Sequence, residues 1–154
     1  MPKIDLGQVP LTNRTSYPPP HDEAVAGRWQ RRFGKAAGLS LLGASHVVLR
    51  PGAWSSQRHW HRLADELVVV LAGEAVLVED ATDGAAGETV MRAGDIAAFP
   101  AGVANGHHFQ NRSEEDCVLL AVSAGDEGDS GVYSDIDMLF TPAGYTRKDG
   151  TPIQ

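Results

Sequence analysis

Residues 51–73 read PGAWSSQRHWHRLADELVVVLAG, and this stretch decides how the rest of the chain is understood. His59 and His61 flank Trp60; in a strand, alternate side chains share a face, so the two imidazoles project side by side. Glu66 lies five residues beyond His61, an odd step that breaks this register. The polar Arg62 to Asp65 therefore has to turn the chain, and the apolar run Leu67 to Leu71 then forms a strand that brings the carboxylate back to the imidazoles. Two imidazoles and a carboxylate converging in this way suit a divalent transition metal.

A second stretch supplies what the first lacks. Residues 94–111 read GDIAAFPAGVANGHHFQN, in which Gly94, Pro100 and Gly102 shape two turns before His107 and His108 enter a strand that Asn111 leaves. Adjacent strand residues face opposite ways, so one of the two histidines points inward. With one of them inward, three imidazoles and one carboxylate meet, with positions left for water or substrate.

Around these stretches the pattern is of short strands punctuated by glycine, proline and aspartate. Leu39 to Leu49 forms one, ended by Arg50-Pro51-Gly52. Leu67 to Leu71 and Ala75 to Glu79 flank Ala72-Gly73-Glu74 as a tight hairpin would. Asp80 to Gly87 is a looser turn, followed by strands at Thr89 to Met91, Ile96 to Phe99, His107 to Gln110 and Val118 to Val122. No long helical period occurs. The expectation is an all-β, antiparallel barrel over residues 37–124. His46 reads as an ordinary strand histidine and Cys117 as a buried, inert thiol.

Residues 1–36 differ, with Pro18, Pro19 and Pro20 in a row excluding regular helix or central strand. They read as an extended arm. Its end, Gly27 to Gly34, interleaves cations with aromatics, which suits either a nucleic-acid patch or docking on the barrel through Trp29 and Phe33. Residues 125–154 form a tail that begins acidic and glycine-rich and is either flexible or an edge strand near Ile136 to Phe140. Met138-Leu139-Phe140 is apolar and better hidden than exposed, which points to a homodimer.

Composition sets limits. The chain has 154 residues, a formal net charge of −7 and one cysteine. One cysteine excludes an intramolecular disulfide framework. The negative charge argues against general nucleic-acid or anionic-membrane binding. No apolar run is long enough to span a bilayer, and the first residues lack a secretory pattern. The expected location is the cytoplasm.

The two stretches together resemble the motifs of the cupin superfamily, carried by Gly52, His59, His61, Glu66 and Gly73, then Gly94, Pro100, Gly102, His107 and Asn111. The resemblance implies an antiparallel double-stranded β-helix, or jelly-roll, barrel, with the Pro-rich N-terminal segment outside it. It implies a metal held by His59, His61, Glu66 and His107, one divalent Fe, Mn, Ni or Zn per chain. Two spacings depart from the pattern. Six residues separate Gly52 from His59 rather than five, and four separate Gly102 from His107 where two are common, so Asn105 stands at the expected ligand position. Either the loop is longer and His107 is the ligand, or the fourth ligand is lost; the distance from His107 to Asn111 favours the first.

The proline-rich arm and the tail motifs around Tyr133 to Asp137 and Tyr145 to Pro152 are similar to those of a bacterial group of single-domain cupins largely without an assigned activity. The implied function is metal-dependent chemistry on a small oxygenated molecule, of dioxygenase, decarboxylase, isomerase or lyase type. Non-catalytic binding or sensing of a small ligand, and a barrel with an empty site, are the alternatives. Gln57, Arg58, Trp60, Arg92 and Tyr133 are available as substrate contacts, and nothing in the sequence selects among them.

Overall fold

The computed structural model describes residues 3–80, 86–125 and 127–153. Two antiparallel sheets face each other. The first is ordered β1 (Arg28–Arg31), β2 (Gly43–Leu49), β9 (Cys117–Gly125), β4 (Ala64–Ala72) and β7 (Ile96–Phe99). The second is ordered β12 (Gly144–Thr146), β11 (Leu139–Thr141), β10 (Gly131–Tyr133), β3 (His59–His61), β8 (His107–Gln110), β5 (Glu74–Asp80) and β6 (Ala86–Arg92). This is the expected jelly-roll barrel. Its core lies between the sheets, where Leu49, Val70, Leu77, Met91, Phe109 and Leu119 pack together.

The hairpin expected at Ala72-Gly73-Glu74 is not one. β4 pairs with β7 and β9, whereas β5 pairs with β6 and β8, so the chain crosses from one sheet to the other at Gly73. Gly73 makes the crossing with φ +74°, and a Cβ there would lie 2.5 Å from the Asp116 carbonyl oxygen. A glycine is required for both reasons. β4 also starts earlier than its apolar run suggests, because Ala64 and Glu66 face inward against Gly125 and Ser123 of β9. The turn is thereby confined to Arg62 and Leu63. Part of the loose turn expected from Asp80 to Gly87 lies outside the described residues, while β5 and β6 pair up to Asp80 and Ala86.

The sheet begins inside the segment expected to be an arm. Arg28 to Arg31 pair in register with His46 to Leu49, and a short helix α1 (Phe33–Ala36) follows. The cations of Gly27 to Gly34 are split by this strand. Arg28 faces the barrel interior and Arg31 turns to donate to the Val9 carbonyl, while Trp29 lies under the Arg50 guanidinium at 5.3 Å. Val9 and Val25 are buried, which fixes the earlier residues against the barrel.

The tail is also built in. β10 adds to β3, β11 to β10 and β12 to β11, and Met138 is 1% exposed. The apolar Met138-Leu139-Phe140 is accommodated against the chain's own sheet, with Leu139 and Phe140 in β11. No helix among the described residues is long and apolar enough to cross a membrane.

Candidate metal centre

β3 places His59 and His61 on one face, as the alternation requires, and β4 brings Glu66 opposite them from the other sheet. The ligand atoms of these three residues all lie within 4.8 Å of one another. His107, the first residue of β8, pairs in register with His59, and its Nε2 lies 2.9 Å from Glu66 Oε2. His59, His61 and Glu66 thus form the tight group and His107 joins it through Glu66, with all three histidines on one sheet and the carboxylate facing them from the other.

Each imidazole has its Nδ1 engaged. His59 Nδ1–H donates to the Gln57 carbonyl at 2.8 Å, His107 Nδ1–H to the Asn105 carbonyl at 2.9 Å, and His61 Nδ1–H to Asp129 Oδ2 at 2.5 Å. This arrangement fixes the tautomers and turns all three Nε2 lone pairs toward Glu66. His59 and His61 Nε2 are 3.1 Å apart, and His61 Nε2 is 3.5 Å from Glu66 Oε2. Acceptor atoms this close repel unless a positive charge lies among them, so the donor set fits a divalent cation. Burial, with the nearby His61 and His107, pulls the His59 pKa down to about 4, against the pull of Glu66. Burial alone would raise the Glu66 carboxyl, but the imidazoles against it, His107 foremost and then His61 and His59, overturn this and pull it down to about 2. At neutral pH the site therefore offers a neutral His59 and an ionised Glu66, the forms that bind metal.

The neighbouring histidine goes elsewhere. His108 faces away from Glu66, its Nδ1–H donating to the Ser56 carbonyl and its ring standing edge-on to Trp54 at 4.7 Å. Asn105, at the spacing where the ligand was expected, donates instead to Glu79 Oε1 and accepts from His107, so it positions the histidine from the lengthened loop. Phe99 stacks on His107 with ring centres 3.4 Å apart and planes at 2°. His46 is a half-buried residue of β2, outside the cluster.

Of the other residues left available by the sequence, Tyr133 stands at the site, its ring 5.4 Å from that of His59. Arg58 is tied to Asp135 and Asp80, Arg92 to Glu74, and the Gln57 side chain to the His21 carbonyl. Sequence reasoning missed Asp129, Tyr17 and Phe140. Phe140 lies 4.9 Å from His61, and Tyr17 accepts from the Tyr133 hydroxyl at 3.3 Å. Burial and the adjoining tyrosines raise the Tyr133 pKa far above its ordinary value, so its phenol stays protonated.

The cluster borders two spaces. Inside the barrel, a cavity of about 420 Å³ reaches from His59, Glu66 and His107 to Arg28 and Ser45. Outside, a wider hollow of about 590 Å³ between Ser16 and Pro18 of the N-terminal segment and Tyr133, Phe140 and Tyr145 of the tail opens onto His59 and His61. Both volumes lie in the range of small-molecule sites.

Comparison with known proteins bears on this geometry. The chain is 42% identical to a sugar phosphate isomerase of the cupin superfamily from Silicibacter pomeroyi, with a TM-score of 0.90 over 99% of this chain and 97% of that one. A second solved structure, a sugar phosphate isomerase homologue from Acidithiobacillus ferrooxidans, is 24% identical, with a TM-score of 0.70 over 82% of this chain and 79% of that one; it shares the fold. Oxalate decarboxylase of Bacillus subtilis, an enzyme with Mn(II) centres, is 29% identical over 97 residues. That match takes in 63% of this chain but 23% of the decarboxylase. The cupin domain model matches residues 45–123, more than half of the chain and the whole span from β2 through the metal-ligand cluster to β9, and the chain belongs to the cupin family.

Proposed function

We propose that this protein is a metal-dependent isomerase of a small sugar, using His59, His61, Glu66 and His107 to hold one divalent Fe, Mn, Ni or Zn. The observation that carries this reading is the gathering of His59, His61 and His107 around the Glu66 carboxylate, with His59, Glu66 and His107 on the wall of the interior cavity. The likeness of nearly the whole chain to the Silicibacter pomeroyi isomerase supports it. When bound, such an ion supplies Lewis acidity to a carbonyl and its neighbouring hydroxyl. Aldose–ketose isomerisation moves one hydrogen between adjacent carbons and needs no redox co-reactant.

The chain's own groups set up this chemistry. Asp129, Asn105 and the Gln57 carbonyl hold the imidazoles in one orientation. Tyr133, protonated at neutral pH, sets its ring beside His59 and can give a substrate oxygen the proton that it otherwise directs to Tyr17. Phe140 and Tyr145 present aromatic faces that exclude water from one side of the hollow. A decarboxylase reading has less support, since the oxalate decarboxylase match is confined to 23% of that enzyme.

The test is proton NMR in D2O of phosphorylated aldoses and ketoses incubated with metal-loaded protein. Interconversion with deuterium entering at the carbon beside the carbonyl, abolished in His61→Ala, is expected. Binding of metal and sugar with neither interconversion nor exchange would replace the enzyme with a non-catalytic sugar-binding protein.

A further inference from the structure

The interior cavity has a second polar end that the metal ligands do not explain. β1 runs beside β2 so that Arg28 lies opposite Leu49 and Gln30 opposite Val47, both inward-facing core residues. Arg28 and Gln30 therefore share the inner face and line the cavity, and the exposed Arg32, just past the end of β1, lines it as well. Ser45 and Ser123 line it from β2 and β9.

Arg28 is poorly satisfied there. A guanidinium carries five N–H donors. Among the described residues, Nη1 donates to the Ser55 carbonyl at 2.7 Å, while Nε is buried with no partner. Neither Arg28 nor Arg32 forms an ion pair among the described residues, although Arg58, Arg92, Arg112 and Arg147 all do. Among the described residues, Glu66 is the one carboxylate on the cavity wall, and it faces the imidazoles at the other end. Arg28 is half-buried, and its buried, unused Nε donor costs free energy that a surface arginine avoids; an anion seated against it removes that cost.

The spacing suits one molecule touching both ends. β1 is three strands from β4, about 14 Å along the sheet and less across its curvature. A short polyhydroxylated chain with a terminal charged group bridges that span.

We propose that Arg28, with Arg32, Gln30, Ser45 and Ser123 around it, forms a subsite for an oxyanion of the substrate, a phosphate or a carboxylate, at the end of the cavity opposite the metal ligands. The subsite rests on the isomerase reading for the identity of its substrate and deepens it by requiring an anionic terminus. Its binding is measured without metal or turnover, so the two can fail separately.

The experiment titrates inorganic phosphate, and in a parallel arm acetate, into chelator-treated full-length protein, followed by calorimetry and by the arginine Nε–H resonances in NMR. Saturable binding with a Kd of about 1 mM or tighter is expected, weakened at least tenfold in Arg28→Gln and unchanged in Arg112→Gln, which removes an equal charge from the outer surface. Arg28→Lys keeps the charge but loses the fork, and is expected to bind with intermediate strength. Phosphate saturation without acetate binding assigns a phosphate; comparable binding of both assigns a carboxylate-tolerant subsite. If Arg28→Gln does not fold, the parent decides: the Arg28 Nε–H resonance must move with saturation. Equal binding by folded Arg28→Gln, an unmoved Arg28 resonance, or no binding of either anion to the parent overturns the proposal.

Discussion

Asp129 Oδ2 stands 2.5 Å from Nδ1 of His61, and the other oxygen of the same carboxylate accepts from the Leu63 backbone N–H at 2.9 Å. One side chain thus orients an imidazole of the candidate metal centre and closes the turn that carries the chain from β3 to β4. A carboxylate behind a histidine ligand fixes its tautomer and raises its basicity. Asp129→Asn keeps the shape but removes the charge. It is expected to fold and to lose about 10–100-fold in metal affinity, measured by competition against a chromogenic chelator; unchanged affinity would remove Asp129 from the site.

Phe99 is 8% exposed and stacked on His107. Phe99→Ala opens a cavity against the imidazole and the core, so a loss of about 3 kcal/mol in unfolding free energy is expected. Denaturant titration followed by circular dichroism reads it. A loss below about 1 kcal/mol would show that the stack contributes little.

Asn111, 1% exposed, donates to the Leu49 and Glu115 carbonyls at 2.7 Å each and accepts from Ser113. Asn111→Asp replaces the donor with a carboxylate and leaves both carbonyls unpaired. A destabilisation of about 2–3 kcal/mol is expected, again by denaturant titration; a change below about 0.5 kcal/mol would show that these bonds contribute little.

Much of this was legible in advance, for identifiable reasons. The period of two along His59-Trp60-His61 and the odd step to Glu66 demanded a turn and a second strand, because alternation is a local property of the backbone. The same rule left only one of His107 and His108 to point inward, and the spacing to Asn111 in the resembled motif chose His107. The assignment of Ala72-Gly73-Glu74 to a hairpin failed because a tight glycine turn looks alike whether its strands pair or pass to opposite sheets; the deciding contact, Asp116 against Gly73, is 43 residues away. Arg28 to Arg31 looked like part of an arm because the preceding prolines dominate the composition, whereas pairing with His46 to Leu49 is non-local. Asp129 sits in an acidic, glycine-rich run with no spacing relation to His61, so nothing short of the fold could single it out.

Cys117 is fully buried, and burial, with the charge of Glu74, lifts its pKa from 9.0 to about 11. The folded value exceeds the unfolded one, so the buried thiol's contribution is complete below pH 9 and is lost as pH rises toward about 11. Stability measured by denaturant titration is expected to fall across that window. Cys117→Ala is expected to flatten the decline between pH 9 and 10; an identical slope in that variant would contradict the assignment to the thiol.

The most direct test of the central claim is elemental analysis of untagged protein, purified without added metal or chelator, beside His61→Ala and His107→Ala. About one equivalent of iron, manganese, nickel or zinc in the parent, lost in both folded variants, is the expected result. No bound metal in the parent after incubation with each of these ions, or undiminished metal in His61→Ala, would contradict the metal centre.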